Sequence, residues 1–476
     1  MAKELEQHGT VIIGAGPGGY VAAIRAAELG QQVTVIEESD TLGGICLNVG
    51  CVPSKALISA GKRLSQAQDS TMYGITTGDV SFDFAALQDW KQHKVVDRMT
   101  KGIEGLFDKH GIEVVRGSAM LVSDTEIQIM PAGPQQFMSV TEPRRIAFTD
   151  LIIATGSRPV EIPGFQISGR VIDSTGGLGL ESLPKELVVI GGGYIGTELA
   201  GAYADFGTHV TILEGTDQIL PGFEKDLVKV VAKKLKSKGV TLLTGVRAKH
   251  SEQHDDEVSV TYATKGGEEK KVTADYCMIT VGRTPNTDSL GLDATGVTLD
   301  KHGLIEVDAR GFTGVDHIWA VGDVTMGPAL AHMAFMEGKT AAGAIAGRPD
   351  ANEYFAVPAV CFSDPEIATV GMTVAEAEKN GLTVNSSQFP FAGNARAVSL
   401  GEGEGFVRLV STIDTGTLVG AQIVGPGASD LISELSVAVN CQLNVEDIAL
   451  TIHPHPTLGE PVAEAADIAI GLPTHL

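Results

Sequence analysis

The most regular feature of the chain is a hydrophobic pattern that occurs twice. Val11 to Ile13 is a continuous apolar run, as a parallel strand covered on both faces requires. It leads into Gly14-x-Gly16-x-x-Gly19, a small-residue stretch predicted as a helix to about Leu29, and a second apolar run, Val33 to Ile36, with Glu37 behind it. The same order returns as Leu187 to Ile190, Gly191-x-Gly193-x-x-Gly196, a helix, Val210 to Leu213 and Glu214. In both copies the acid falls 18 residues after the third glycine. Three shorter pieces, LIIATGSRP (151–159), MITVGRTPN (278–286) and IWAVGDV (318–324), read as strands that end in a glycine turn. The pattern predicts an α/β fold with two Rossmann-like dinucleotide-binding domains. AVPAVCFSDPEIATVGMT (356–373) opens an α+β C-terminal domain. The expected regions are 1–152, 153–282, 283–352 and 353–476.

Each glycine in such a unit has a task. They allow the tight turn, the approach of backbone to a pyrophosphate and the close packing of helix on sheet, while the helix N-terminus offers unpaired N–H groups to the phosphates. The acid after the second strand accepts hydrogen bonds from a ribose diol. GxGxxG alone is a weak signal; strand, glycines, helix, strand and acid in register are strong. Two complete units point to two dinucleotides. A carboxylate at Glu214 repels a 2′-phosphate, and the tract after it, GTDQIL, has neither Arg nor Lys, so NAD is expected rather than NADP. Asp323, just past a strand end, is a candidate acceptor for cofactor hydroxyls.

Composition narrows the partners. With 476 residues the chain is too long for one core. Its 35 basic and 59 acidic residues give 35 − 59 = −24, which argues against nucleic acid or an anionic membrane as partner. The opening MAKELEQHGT lacks a charged-then-apolar leader pattern and no run of 18 apolar residues is found, so a cytoplasmic, non-membrane protein is expected.

Five cysteines in this length are not a disulfide scaffold. Cys277, Cys361 and Cys441 stand alone and are expected to be buried, unreactive thiols. Cys46 and Cys51 lie together in GGICLNVGCVPSKAL (43–57). No histidine or second cysteine pair is near them, so zinc, which takes four ligands, is a poor fit, and no metal is expected. A redox pair fits better. In one regular helix, five residues would part the Cα atoms by about 8–9 Å, whereas unstrained bridges want less than about 7 Å. A bridge therefore needs the helix start deformed, which Gly50 permits. Thiolate chemistry also needs a proton acceptor. TIHPHPTLGEP (451–461) supplies His453, His455 and Glu460 on a tract that its prolines keep out of a helix; spacing does not separate the two histidines.

Taken in order, GAGPGGY, GGICLNVGCVPSKAL, ATGSRP, GGGYIGTE, VGRTPN, AVGDV and HPHPTLGE resemble the flavin-dependent pyridine-nucleotide disulfide oxidoreductases over essentially the whole chain. The likeness is greatest to the lipoamide-oxidising members that serve 2-oxo acid dehydrogenase complexes. It implies FAD on Gly14, Gly16, Gly19 and Glu37, with Lys55 near the isoalloxazine, Gly117 near the adenine and Ala154, Thr155 and Gly156 along the cofactor. It places Asp323 on the ribityl chain and Ala329, Leu330, Ala331 and His332 beside the flavin. NAD falls to Gly191, Gly193, Gly196, Glu214 and Gly282, with Glu198 facing the nicotinamide. The base becomes His455, paired with Glu460 and supplied by the other subunit of a homodimer through the C-terminal dimerisation domain; the region 283–352 completes the FAD domain. The implied reaction passes electrons from protein-bound dihydrolipoamide through Cys46 and Cys51 to FAD and then NAD. The implied partners are a lipoyl domain and the acyltransferase component. Two positions depart from the pattern. Met333 stands where Lys is common, and Tyr194 occupies a position shared with glutathione reductases. Tyr194 keeps a glutathione-reductase-like NAD(P)H disulfide reductase as the alternative.

Overall fold

The computed structural model describes residues 5–132, 140 and 142–475. The chain forms two compact units. One holds the chain up to Ala56, Ala85–Val160 and Gly282–Glu353; the other holds Leu57–Phe84, Glu161–Val281 and the chain from Tyr354.

The first unit is built on a sheet in the order Glu113–Arg116, Val33–Glu37, Glu6–Ile13, Arg144–Ile153, Glu126–Met130, Ser118–Leu121, with Ile318–Ala320 also paired to Arg144–Ile153. The pairs around Glu6–Ile13 are parallel, and Val11 faces Thr34 on one side and Leu151 on the other. The continuous apolar run now has its reason. Val11 and Ile13 join a core with Ile36, Ile127 and Ile318, while Ile12 joins another with Ala22, Val35 and Ala341. Both faces are covered, and each fully buried Val or Ile contributes about 1.5–3 kcal/mol. The small residues of the helix Pro17–Glu28 permit close helix packing: a Cβ on Gly338 of the helix Ala331–Ile345 would meet the Gly18 carbonyl at 2.5 Å. A short antiparallel pair, Ser157–Pro159 with Arg283–Pro285, joins two of the glycine-turn pieces.

The second unit repeats the scheme with the parallel order Thr241–Thr244, His209–Glu214, Glu186–Ile190, Tyr276–Ile279, Val171–Asp173. An antiparallel three-stranded sheet, Arg247–Gln253, Val258–Ala263 and Glu269–Ala274, accompanies it. From Ala359 onward, five antiparallel strands run in the order Ala359–Cys361, Glu366–Gly371, Leu418–Gly425, Phe406–Thr412, Val384–Pro390. Ile432 and Leu435 of the helix Ala428–Asn440 and Val462 and Ala465 of the helix Glu460–Ala469 share a core with Phe389, Leu409 and Ile423 of that sheet.

Cys277 and Cys361 are buried, as expected, but Cys441 is exposed, which corrects the expectation for it. It is the cap residue where the helix Ala428–Asn440 ends and the chain turns outward. One helical stretch, residues 44–68, is apolar and long enough by composition to cross a membrane. It is divided at Gly50 and carries Lys55, Lys62 and Arg63.

Candidate active site

The first glycine loop is closed by its own acid. Glu37 ends its strand buried, and its two oxygens accept the N–H groups of Ala15 at 2.7 Å and Ser39 at 2.8 Å. Gly14 has φ +96°, and a Cβ on Gly19 would lie 1.9 Å from the Gly14 carbonyl oxygen, so both positions demand glycine. The strand-end residue Ala154 donates its N–H to Ile13, and the Gly117 N–H donates to the Glu37 carbonyl. Thr155 and Gly156 are strapped to Asn286. Thr155 Oγ1 donates to the Asn286 carbonyl at 2.8 Å, the Asn286 side chain donates to the Thr155 carbonyl at 2.9 Å, and the Asn286 N–H donates to Gly156.

The second loop uses the same lock. Glu214 accepts from Gly192 N–H and Thr216 N–H, each at 2.7 Å. Thr280 adds a bond from its hydroxyl to the Gly191 carbonyl at 2.8 Å. Glu198, buried on the helix Tyr194–Asp205, accepts the Phe362 N–H at 2.9 Å. Gly282, at φ +128°, belongs to the other unit, where its carbonyl accepts the Val160 N–H. Tyr194 packs on Phe223 with ring centroids 5.2 Å apart. Burial, then the nearby Cys361 and Glu198, push its hydroxyl up to about 12.

Both loops fit a dinucleotide. The helices Pro17–Glu28 and Tyr194–Asp205 begin at Gly16 and Gly193 with no side-chain cap and no acid in the first turn. Their N-terminal N–H groups and positive ends are therefore left for an anion. A Cβ on Gly193 would project into open space, and one on Gly16 would meet nothing closer than Gly44 Cα at 3.9 Å. The middle glycine thus keeps clear the ground on which a pyrophosphate would rest.

Asp323 lies in a cavity of about 360 Å³ lined by Ser157, Arg283, Met326, Ala329 and Glu337 among others. Its carboxylate accepts the Ser157 hydroxyl at 2.5 Å, and Ser157 Oγ in turn accepts Arg283 Nε at 2.7 Å. Beneath it, buried Glu337 accepts the Gly322 N–H at 2.7 Å. Burial and the Asp323 charge raise its carboxyl above the usual range, against that hydrogen bond. Leu330 caps the helix Ala331–Ile345, which places Ala331 and His332 in its first turn. Met333 is buried, and a Cβ on Gly327 would strike its methyl at 2.7 Å, so Met333 fills a core position.

The cysteines sit beside the first loop. Gly43 donates its N–H to the Ala15 carbonyl at 2.9 Å, and a Cβ on Gly44 would stand 2.6 Å from Gly16 Cα. The predicted deformation is present. A short helix, Gly44–Val49, stops at Gly50, and a new helix starts at Cys51. A Cβ on Gly50 would lie 2.8 Å from the Ile45 carbonyl oxygen, so a side chain would force the two turns apart. Across this break Cys46 and Cys51 are hydrogen-bonded thiols. That bond, then burial and the Cys51 charge, hold the Cys46 thiol far above its ordinary range, with Lys55 acting in the opposite sense. Tyr20 is part of the same neighbourhood: burial, then Cys46 and Cys51, push its hydroxyl up to about 12.

In the other unit the helix Glu460–Ala469 starts at Glu460, and the preceding tract is non-helical, as its prolines dictate. His455 Nδ1 lies 2.6 Å from Glu460 Oε1, while Glu460 Oε2 accepts the Thr457 N–H at 2.8 Å. Burial works against ionisation of Glu460, but the bonds from His455 and Thr457 outweigh it and hold the carboxyl below its usual range. Asn394 braces the turn by donating to the Thr457 carbonyl at 3.0 Å. The two histidines now differ. His455 is 74% exposed, and among the described residues its Nε2 has no partner. His453 spends both nitrogens, Nε2 on Glu434 at 3.0 Å and Nδ1 on the Thr451 carbonyl at 2.9 Å. The Glu434 bond raises His453 above its ordinary value of 6.5, against partial burial. Its stabilising pair is therefore complete below pH 6.5 and lost as pH rises through the raised value. An NMR titration should find His453 titrating above 6.5 and falling back in Glu434→Gln; an unshifted midpoint in both would refute the pairing.

Sequence reasoning missed Tyr20, Ser157, Thr280, Glu337 and Asn394. Arg283 and Asn286 lay inside a quoted segment, VGRTPN, but nothing in the spacing pointed to Ser157 or Thr155 as their partners.

Comparison with known proteins gives this geometry its family. The pyridine nucleotide-disulphide oxidoreductase model matches residues 8–338, and the dimerisation-domain model of the same family matches 357–466. The chain belongs to this family. It is 52% identical over 467 residues to the dihydrolipoyl dehydrogenase of Geobacillus stearothermophilus, covering 98% of this chain and 97% of that protein. It is 44% identical over 467 residues to the dihydrolipoyl dehydrogenase of Haloferax volcanii, with the same coverage. Among solved structures, LpdA from Mycobacterium tuberculosis superposes with a TM-score of 0.89 at 28% identity, covering 97% of this chain and 99% of that one. The flavoprotein disulfide reductase RclA from Escherichia coli superposes with a TM-score of 0.85 at 26% identity, covering 97% and 100%. As a family member with a matched dimerisation domain, the chain has the segment through which two copies associate.

Proposed function

We propose that this chain is a cytoplasmic, homodimeric dihydrolipoyl dehydrogenase: it oxidises the dihydrolipoyl group borne by a lipoyl domain and reduces NAD. The observation that carries the reading is the Cys46–Cys51 pair, hydrogen-bonded across the break at Gly50 and set against the first glycine loop through Gly43 and Gly44. The 52% identity to dihydrolipoyl dehydrogenases over nearly the whole chain supplies the substrate. The acyltransferase component of a 2-oxo acid dehydrogenase complex is the partner that presents it. The division at 1–152, 153–282, 283–352 and 353–476 is retained as our assignment of FAD-binding, NAD-binding, FAD-completing and dimerisation regions.

FAD would be held by Gly14, Gly16, Gly19, Glu37, Gly117, Ala154, Thr155, Gly156, Asp323 and the segment Ala329 to His332, with Lys55, which acts on Cys46, also assigned to it. A bound FAD would supply the redox chemistry that links the thiol pair to NAD. NAD would be held by Gly191, Gly193, Gly196, Glu214 and Gly282, with Glu198 assigned to the nicotinamide. The chain's own residues handle sulfur and proton. The substrate dithiol gives a proton to Nε2 of the partner subunit's His455, and its thiolate attacks Cys46 of the Cys46–Cys51 disulfide. The sulfur–sulfur bond breaks, Cys51 departs as thiolate, and the substrate's second thiol closes the product disulfide by displacing Cys46. Glu460 keeps Nδ1 of the imidazole protonated, so that Nε2 is the basic nitrogen.

Dihydrolipoamide and NAD, mixed anaerobically with the holoenzyme, should yield NADH; no NADH from protein that retains FAD would overturn the proposal. Tyr194, whose ring meets Phe223 at a tilt of 56°, is the residue behind the second reading, a glutathione-reductase-like enzyme, and oxidised glutathione with NADPH tests it directly. With Glu214 at the ribose, kcat/KM should favour NAD over NADP by about 10²-fold or more, since like charges juxtaposed cost several kcal/mol. Equal use of both would remove Glu214 from the nucleotide site.

A further inference from the structure

Outside the residues assigned above, the second unit contains a buried ion cluster with no evident role. Lys238 caps the helix Lys225–Ser237 and lies between two carboxylates, Asp205 Oδ1 and Asp364 Oδ2, each at 2.8 Å. The Lys238 and Asp205 side chains are 12% and 7% exposed. Lys62 and Lys234 also act on Asp364, but Lys238 is the cation bonded to both acids.

The placement of these acids is informative. Asp205 is the last residue of the helix Tyr194–Asp205, which opens at the second glycine motif and carries Glu198. Asp364 follows Phe362 by two residues, just beyond the strand Ala359–Cys361. The segment 362–364 is therefore fixed to this helix at two points, by the Phe362 N–H on Glu198 and by Asp364 through Lys238 to Asp205. Gly61 packs close against Asp205, where an added Cβ would meet the Asp205 Cβ at 3.0 Å. If the cation were lost, buried Asp205 and the less buried Asp364 would face each other without the ammonium bonded to both, and the segment 362–364, which carries the more exposed acid, would be the part that yields. Phe362 N–H would then leave Glu198.

We infer that Lys238, with Asp205 and Asp364, is a positioning device for NAD: it holds the segment 362–364 so that the Phe362 N–H fixes the Glu198 carboxylate at the nicotinamide. The inference rests on the placement of Glu198 proposed above. The device acts on NAD and leaves the thiol half of the reaction alone.

The test uses the holoenzyme and two assays: steady-state KM for NAD, and the rate of flavin bleaching by dihydrolipoamide without NAD. Lys238→Met should raise KM for NAD about tenfold, the size of a modest coupling between separate positions. Its bleaching rate should stay at the wild-type value, and Lys238→Arg should restore KM. Asp364→Asn, nearly isosteric, should shift KM in the same direction and serves if Lys238→Met does not fold. An unchanged KM in Asp364→Asn, or a bleaching rate that falls in step with KM, overturns the device. Glu198→Gln separates the two levels. If it raises KM while the Lys238 and Asp364 variants do not, the device fails and the site stands; if it leaves KM unchanged, the placement of Glu198 fails and the device with it.

Discussion

Replacing either Cys46 or Cys51 by serine should abolish oxidation of dihydrolipoamide while FAD stays bound. Turnover should fall by about 10⁴-fold or more, in the range that removal of an attacking or leaving group reaches. A serine hydroxyl cannot form the sulfur–sulfur bond that carries the electron pair. The first glycine loop is held by backbone contacts of Gly43, Gly44 and Ala15, none of which involves a thiol, so cofactor content should not change. Electron transfer from NADH to an artificial dye should persist in both variants. They should differ in one respect. In Cys51→Ser, Cys46 loses the bond that now holds its thiol high, so its alkylation should proceed at lower pH than in wild-type dithiol protein. Full lipoamide turnover in either variant would end the exchange scheme.

His455→Gln should slow the same turnover by about 10²–10⁴-fold, the range for a lost general base. His453→Gln should stay within a few-fold of wild type, because both its ring nitrogens are already committed to Glu434 and Thr451. NADH-to-dye transfer should be untouched in each. The pH profile separates His455 from Glu460. The Glu460 carboxyl is held below its ordinary 4.5, so its contribution is complete above that pH and is lost only as pH falls through the lowered value. A fall in rate that appears on the acid side above pH 4.5 is therefore not the loss of the Glu460 charge. A wild-type rate in His455→Gln, with loss in His453→Gln, would transfer the base to His453.

The two dinucleotide units were legible because each needs glycine where any side chain would collide, as at Gly19 and Gly196, and because both faces of a buried parallel strand must be apolar. The break at Gly50 was legible for a similar reason: two thiols five residues apart cannot meet along an unbroken helix. What escaped was chemistry carried by common residues at long range. Ser157 meets Arg283 only because two short strands pair, and Asn394 meets Thr457 across 63 residues of chain. Thr280 reads as strand punctuation until its hydroxyl is seen on Gly191. Cys441 was misread because a lone thiol is usually buried, and nothing in the pattern marks that this one falls at a helix end. Spacing did not separate His453 from His455; the resemblance did, and in the structure their ring partners differ.

Glu214 illustrates how tightly nucleotide choice is tied to loop architecture. Both its oxygens hold backbone N–H groups, those of Gly192 and Thr216. A redesign toward NADP that simply exchanges this acid for a cation would strand two donors and loosen the turn it was meant to retune. Any successful swap must bring in a substitute acceptor for that pair, and Glu37, with the same double duty in the other unit, sets the identical condition for re-engineering the flavin side.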